Sequence, residues 1–327
     1  MVDISVLIPA RDEESNIYST LVTIKNSIPA GYTYEILIGN HVSTDGTLNE
    51  INRFYDQACA LPVVPLKKLH IYTINPPTVA AVRNYLAERA SGRWLLFLDA
   101  DTQLTPAWRS AVKSVLTEDE LHEYTAFSTV PIMGGAGWKL NFVRKHWFGY
   151  ITGGRTDQLR QGQDRRHLSG AHILIHRALF DYCGWFDEGL ATGEDVDLTR
   201  RIKLRGGSVV VSPDFCVVHQ DYPKTVKAFF KREVWHGKGD FKDWKSFSGS
   251  PVAVVSVLFA IQAMFFVCTA VLNPPLGLLS LALLLAIPLT MSFYKFTGLK
   301  LKQRLMNAFL CGVYLTARAF SCVTRST

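Results

Sequence analysis

The 327-residue chain reads as an α/β protein with a mostly parallel central sheet, followed by C-terminal transmembrane helices. Two observations predict this. In the N-terminal part, short apolar runs alternate with longer amphipathic stretches, the pattern of strands joined by crossover helices that cover both faces of a parallel sheet. Past Lys245 the chain changes solvent: no charged side chain occurs between Lys245 and Lys295, and all 28 acidic residues lie at or before Asp243.

Taken in order, Ile4-Ser5-Val6-Leu7-Ile8 opens the sheet, and further strands are expected at 35–38, 69–74, 94–98 and 209–211. Each is a run of β-branched or large apolar residues too short for a buried helix. Helices are expected at 14–27, 48–58, 79–90, 107–116 and 195–204, where apolar positions recur at helical spacing. Polar signals fall where strands end: 9–14 after the first, 40–47 after the second, and Asp99-Ala100-Asp101 after Trp94-Leu95-Leu96-Phe97-Leu98. Ligands of open α/β sheets sit at those carboxyl ends. There is no internal repeat and no extended low-complexity tract.

Two carboxylates one residue apart at a strand end are hard oxygen ligands, suited to Mg²⁺ or Mn²⁺ bridging a diphosphate. Alone, such a triplet also fits a solvated strand end or a helix cap. Gly193-Glu194-Asp195 follows later, and as an isolated pair Glu194-Asp195 reads as an acidic helix start favoured by the macrodipole.

The ordered set changes that reading. Ile8-Pro9-Ala10-Arg11-Asp12-Glu13-Glu14-Ser15-Asn16-Ile17, Ser43-Thr44-Asp45-Gly46-Thr47, Arg83-Asn84, Asp99-Ala100-Asp101 and Gly193-Glu194-Asp195-Val196-Asp197-Leu198 resemble the motifs of family 2 glycosyltransferases with a GT-A fold. The similarity covers about residues 3–240, and its specificity lies in order and spacing. The resemblance implies a nucleotide-sugar donor and residue roles. Pro9, Ala10, Arg11, Glu13 and Asn40 border the nucleoside, and Arg83 approaches the base or diphosphate. Asp99 faces the ribose or the metal, and Asp101 is the principal ligand. His219 resembles the histidine that reaches the metal or diphosphate in many GT-A enzymes, although a lone histidine after a strand also fits a hydrogen-bonded core position. Gly170-Ala171-His172, Gly184-Trp185-Phe186-Asp187-Glu188 and Glu194-Asp195 resemble the acceptor side. There the residue at the position of Asp195 is the general base of inverting members, with Glu194 orienting it or binding the acceptor.

Two departures narrow the expectation. Asn40-His41 stands where the family often has Asp-Asp, so the carboxylate that reads uracil is replaced by an amide; UDP stays favoured and GDP open. Lys231-Arg232-Glu233-Val234-Trp235 does not match the Gln-x-x-Arg-Trp of processive synthases, which favours transfer of a single sugar.

The tail predicts a hairpin of spans at 252–272 and 276–294 around Asn273-Pro274-Pro275, each near the roughly 20 residues needed to cross a bilayer. A third apolar stretch, 305–320, is interrupted by Asn307, Thr316 and Arg318. The formal charge of +7 does not signal nucleic acid, because six of the 35 Lys and Arg lie from Lys295 onward and the rest is nearly balanced. Lys295, Lys300, Lys302 and Arg304 fit the positive-inside rule and place the loop after the hairpin, and with it the catalytic part, on the cytoplasmic side. Lysines interleaved with Phe229, Phe230, Trp235, Phe241, Trp244 and Phe247 suit a membrane interface. The expected organisation is a catalytic domain at 1–220, an amphipathic juxtamembrane segment at 221–250 and a membrane domain at 251–327. The strand-like start lacks the marks of a signal peptide. Six scattered cysteines without a C-x-x-C pair read as reduced thiols.

The stretch 133–170 combines Gly134-Gly135, Trp138, Phe142, Trp147, Phe148 and Tyr150 with Arg155, Arg160, Arg165 and Arg166. An aromatic wall followed by arginines suits a lipid-phosphate acceptor, and core packing with a solvated loop suits it equally. The tail also resembles that of family members that act on polyprenyl-linked acceptors. A lipid-linked or saccharide acceptor and membrane lipids are the expected partners, with oligomerisation open. Two other classes compete. A nucleotidyltransferase shares the sheet and the carboxylate-bound metal, but 9–14 has neither the glycine nor the lysine of its phosphate loop. A catalytically silent membrane scaffold would have lost acidic motif residues, and Asp99, Asp101, Glu194 and Asp195 are all present.

Overall fold

A computed structural model describes residues 2–59, 66–133, 142–148 and 167–324. They form two compact units, 2–133 with 167–221 and 142–148 with 222–324. Residues 142–148 group with the second unit. Trp138, Tyr150 and the arginines at 155, 160, 165 and 166 fall outside the described residues.

The first unit is built on strands β1 (Val2–Ala10), β2 (Tyr34–Asn40), β3 (Leu66–Thr73), β4 (Gly92–Leu98), β5 (Thr102–Leu104), β6 (Thr125–Ser128), β7 (Ile132–Met133), β8 (His172–His176), β9 (Ser208–Val211) and β10 (Val217–His219). Seven of them form one sheet in the order β3-β2-β1-β4-β8-β6-β9. β1 pairs parallel with β2 and β4, β2 with β3, and β6 with β9, while β8 runs antiparallel between β4 and β6. The sheet is mostly parallel, as expected.

β1 shows why the apolar runs fall here. Ile4, Val6 and Ile8 fill one core and Leu7 the other, all fully buried, so both faces of the strand are covered. Gly92 at the start of β4 is required by closeness, since a Cβ there would lie 2.6 Å from the Ser5 backbone nitrogen. Helices Ile17–Ser27, Thr47–Cys59, Val79–Arg89, Pro106–Thr117 and Glu194–Leu204 match the five expected ones within a few residues. The Thr78 hydroxyl caps the third by accepting from the Ala81 N–H at 3.2 Å. A smaller sheet, β5-β10-β7, completes the unit.

The second unit contains a π-helical turn, Arg144–Phe148, the helix Val226–Gly237, two short turns and the helices Pro251–Leu272, Pro274–Lys295 and Leu301–Phe320. Two of these, Pro251–Leu272 and Pro274–Lys295, are 22 residues each and are long and apolar enough to cross a membrane. They pack closely: a Cβ on Gly277 would lie 2.8 Å from the Ala270 Cα, and the Gln262 amide donates to the Ser280 carbonyl at 3.0 Å. Their remaining faces expose Leu258, Ile261, Met264, Leu278 and Leu279, apolar surface that suits lipid.

Leu301–Phe320 is different in kind. Its interrupting Arg318 donates to Asp240 at 2.9 Å and Glu233 at 3.2 Å, and the Ser321 hydroxyl just beyond it donates to the Val234 carbonyl at 3.0 Å. These bonds tie it to Val226–Gly237 and to the turn Lys238–Phe241 that follows, and Gly237 leaves no room for a Cβ beside Ser321. Among the described residues it does not qualify as a third span by length and composition.

Candidate active site

The carboxyl ends of β1 and β2 carry two loops that clasp each other. Asp12, held at φ 55°, accepts from the Thr44 N–H at 2.8 Å and donates its own N–H to Ser43 Oγ at 3.0 Å. The Glu13 N–H donates to Thr47 Oγ1 at 2.7 Å, and the Glu14 N–H to Asp45 at 3.1 Å. The acidic and hydroxylic strings at 11–16 and 43–47 are thus largely scaffold for each other. Ala10 and Asn40 are register partners. The Asn40 side-chain oxygen accepts from the Ser43 N–H at 3.2 Å, and Asn40 is buried, so it shapes the loop from inside. Pro9 is half-buried beside it, and the Arg11 side chain stays in solvent.

At the end of β4 the chain turns, with the Thr102 N–H donating to the Asp99 carbonyl at 3.0 Å, and runs on into β5. β10 pairs antiparallel with β5 and sets His219 opposite Thr102. This pairing brings His219 Nδ1 to 3.2 Å from Asp101 Oδ2. Asp99, Asp101 and His219 each offer one ligand atom, and these atoms lie within 4.8 Å of one another. Two carboxylates and an imidazole are a donor set that fits Mn²⁺ or Mg²⁺.

The local electrostatics agree with that fit. Burial raises the Asp101 pKa above the ordinary carboxylate value; His219 opposes the rise, and the charges of Asp99 and Asp221 add to it. Burial also pushes Glu13 up to about 7, against a hydrogen bond from Asn16, with Asp101, Asp221 and Asp99 adding repulsion. Carboxylates are crowded here in excess of nearby positive charge, the condition a divalent cation relieves. Asp221, whose N–H donates to Asp101 at 3.3 Å, was not singled out from sequence. It sits two residues past His219 in a segment without a motif.

Arg83, on the Val79–Arg89 helix, occupies the middle of the site. Its side chain is 3% exposed, and it donates to Glu194 at 2.5 Å, to Asp99 at 2.9 Å and to the Gly170 carbonyl at 2.9 Å. Burial alone would lower its pKa, yet Asp99, Glu194 and Asp195 together hold it above its usual value. The guanidinium is thus engaged by carboxylates of this chain. Asp195, in the first turn of Glu194–Leu204, accepts the Gly170 N–H at 2.8 Å. Burial, and next the charge of Glu194, raise Asp195 to about 6, against the hydrogen bond from Gly170 and the charge of Arg83. Gly170 is a second residue not foreseen as part of the linkage: its N–H holds Asp195 and its carbonyl holds Arg83.

His172, in the acceptor-side string, belongs to the core. Fully buried, it takes the Trp108 indole N–H at 2.7 Å, and burial lowers its pKa to about 3, so it is neutral.

The family model described as Glycosyl transferase family 2 matches residues 5–184, more than half of the chain. The chain belongs to this family. It is similar to the O-antigen biosynthesis protein RfbC of Myxococcus xanthus, 24% identical over 278 residues that cover 76% of this chain and 20% of that one. It is similar also to the glycosyltransferase AglE of Haloferax volcanii, 25% identical over 252 residues that cover 74% of each. The chain thus spans about a fifth of the first relative's length. The mannosyltransferase PcManGT from Pyrobaculum calidifontis, solved in complex with GDP-Man and Mn2+, superposes with a TM-score of 0.59 at 17% identity, over 98% of this chain and 86% of that one. The shared architecture is the GT-A-like α/β fold.

Proposed function

We propose that this protein is a membrane-anchored, metal-dependent, inverting glycosyltransferase that moves one sugar from a nucleotide-sugar, with UDP favoured, to a hydroxyl or phosphate of a lipid-linked or saccharide acceptor. The observation that carries the proposal is the junction at Arg83, which ties Asp99 of the acidic triplet to Glu194 beside Asp195. Donor-side and acceptor-side carboxylates are set in one frame, as a displacement at a single carbon requires.

The roles follow from the environments. Asp99, Asp101 and His219 hold the cation, which when bound stabilises the charge that develops on the diphosphate leaving group. Asp195 is the general base. A carboxylate whose pKa lies at about 6 is mostly ionised at neutral pH and a better proton acceptor than an ordinary aspartate. The Gly170 N–H holds one oxygen of Asp195 at 2.8 Å and the Val196 N–H the other at 2.8 Å, which orients the carboxylate, and Glu194 is held by Arg83 as the orienting neighbour. Pro9, Ala10, Arg11, Glu13 and Asn40 border the nucleoside, and the amide at Asn40 leaves GDP as the second donor.

The two apolar helices are read as a hairpin spanning the membrane, with Val226–Gly249 lying at the interface and the catalytic unit on the cytoplasmic face. Exposed Trp235 and Trp244 (45% and 77%) suit the water boundary. The test is a screen of nucleotide-sugar hydrolysis and transfer by the full chain in detergent, with Mn²⁺ or Mg²⁺, with and without polyprenyl phosphate. Metal-dependent release of UDP or GDP supports the reading, and absence of turnover with every donor under both metals overturns it.

A further inference from the structure

A cleft of about 530 Å³ opens on the first unit between the loop after β3, the outer face of the Val79–Arg89 helix and the turn that follows the helix Arg177–Cys183. It has the size of small-molecule sites, which run to roughly 300–1,000 Å³. None of Asp99, Asp101, Asp195 and His219 lines it, so the proposed reaction leaves it unexplained. Pro76, Pro77 and the Trp185 ring give the cleft its apolar wall, and Tyr85, Glu88 and Glu188 bring polar groups to it.

Trp185 is set in the wall as a platform. Its φ of 63° is left-handed, a conformation that bulky side chains rarely adopt. The end of Arg177–Cys183 does not demand it. In the turn closed by the Gly184 N–H to the Asp181 carbonyl and the Trp185 N–H to the Phe180 carbonyl, the residue that must be left-handed is Gly184, at φ 78°. The indole is locked as well, with Nε1 donating to Asp181 Oδ1 at 2.9 Å and the ring stacked on Phe180 at 5.6 Å. The strained backbone thus holds a half-buried, pre-ordered ring on the cleft wall, and such a ring loses little freedom when a ligand lies on it.

Glu188 is fixed too. Buried Asn84 donates to its Oε1 at 2.8 Å and to the Phe186 carbonyl at 2.9 Å, so Oε2 is the oxygen left for a ligand. Glu88, one turn further along the helix, is met on one oxygen by Arg89 at 2.6 Å. Both acids are exposed, and water screens them too well for charge alone to hold a cation there. An aromatic face beside carboxylates suits a sugar instead: the C–H face of a pyranose lies on the electron-rich face of the ring, and the hydroxyls donate to the acids. We propose that the cleft binds a saccharide, with a pyranose ring on Trp185 and its hydroxyls on Glu188 and Glu88. On the glycosyltransferase reading above, on which this role rests, the sugar is a unit of a saccharide acceptor held apart from the reacting carbon. Binding itself needs neither donor nor metal.

The experiment uses the full chain in a polyoxyethylene detergent, which carries no sugar headgroup, without nucleotide or metal. Saturation-transfer NMR reads the binding of the methyl pyranosides of glucose, galactose, mannose and N-acetylglucosamine, and of chitotriose and mannotriose. At least one of them should bind, with transfer strongest at ring C–H protons. Affinity should fall about tenfold in Trp185→Gly, which also frees the strained backbone, and in Glu188→Gln, which keeps an acceptor for Asn84. Cooperative thermal unfolding retained in both variants separates loss of the site from loss of fold, and glycosyl transfer is measured separately, so failure of the reaction leaves the binding result standing. No binding of any of these saccharides overturns the proposal, as does wild-type affinity in either variant. Binding that appears only with nucleotide and Mn²⁺ assigns the sugar to the reaction site, and binding of choline in place of the saccharides, abolished by salt, replaces the sugar with a cation; either result refutes it.

Discussion

Replacing Arg83 with Gln removes the cation that, among the described residues, joins the two acidic halves of the site, and its cost can be worked from the contacts. The Arg83–Glu194 pair is buried on both sides, with side-chain exposures of 3% and 8%. Breaking such a pair from one side leaves a buried carboxylate uncompensated, which costs roughly 3–5 kcal/mol. The Asp99 arm adds little, since Asp99 is 30% exposed and water screens it; exposed pairs contribute roughly 0–1 kcal/mol. The Gly170 carbonyl loses a donor that Gln, being shorter, does not replace.

The expected loss at pH 8 is therefore about 3–5 kcal/mol, read by urea unfolding of the full chain in micelles through near-ultraviolet circular dichroism. Its pH dependence has a fixed sign. Without Arg83 the pKa of Asp195 moves further above its value of about 6. The destabilisation is then full when the acids are ionised and shrinks as pH falls and they take up protons. In the double variant Arg83→Gln/Glu194→Gln the buried carboxylate that Arg83 pairs with is removed as well, and most of the loss should return. A single-variant loss below about 1 kcal/mol, or a double variant whose loss is the sum of the singles, refutes the buried-pair account.

Asp101→Ala should abolish metal-dependent nucleotide binding, measured by calorimetry with and without Mn²⁺, because the remaining Asp99 and His219 make an incomplete ligand set. Asp195→Asn should keep donor affinity while transfer to a hydroxyl acceptor falls by about 10²–10⁴; a matching loss of donor affinity would assign Asp195 to the nucleotide instead. In the wild type, transfer to a hydroxyl should rise with pH through about 6, the value to which Asp195 is raised, and level off above it. With single cysteines at 248, 274 and 300 in a cysteine-free chain, an impermeant label on intact cells should reach only 274, and labelling of 248 or 300 would refute the hairpin.

The parallel half of the sheet is legible in the sequence because each of its strands is a local event, an apolar run followed by an amphipathic helix. β8 is not. His172-Ile173-Leu174-Ile175-His176 is short, and what makes it a strand is its antiparallel place between β4 and β6, pairings that no local pattern records. β5 and β10 are three residues each, so the contact of His219 with Asp101 was accessible only through the family resemblance. Arg83 is assigned by the family resemblance to the base or diphosphate of the donor. Its carboxylate partners come from elements 16 and 111 residues away, and only the folded chain shows them. The breaks in the third apolar stretch have a similar origin, since Arg318 interrupts it in order to meet Glu233 and Asp240.

The acids of the first unit sort by what surrounds them, and the sorting constrains the order of events at the site. Asp3, Asp45 and Asp197 lie below the usual carboxylate range because hydrogen-bond donors or arginines face them. Glu13, Asp101 and Asp195 are raised, and all three lie at the carboxyl edge of the sheet. Arg83 offsets them only in part: its Nη donors serve Glu194, Asp99 and Gly170, and its charge lowers Asp195 without cancelling the rise. A diphosphate carries its own negative charge, and bringing it to Asp99 and Asp101 without a cation sets like charges together at short range in a partly dry site, where each unit of repulsion costs far more than in water. On the proposed ligand set, metal is expected to bind before the nucleotide or together with it. Nucleotide affinity should collapse under chelation while the fold persists, and nucleotide should in turn tighten the hold on metal by the same factor, as linkage demands.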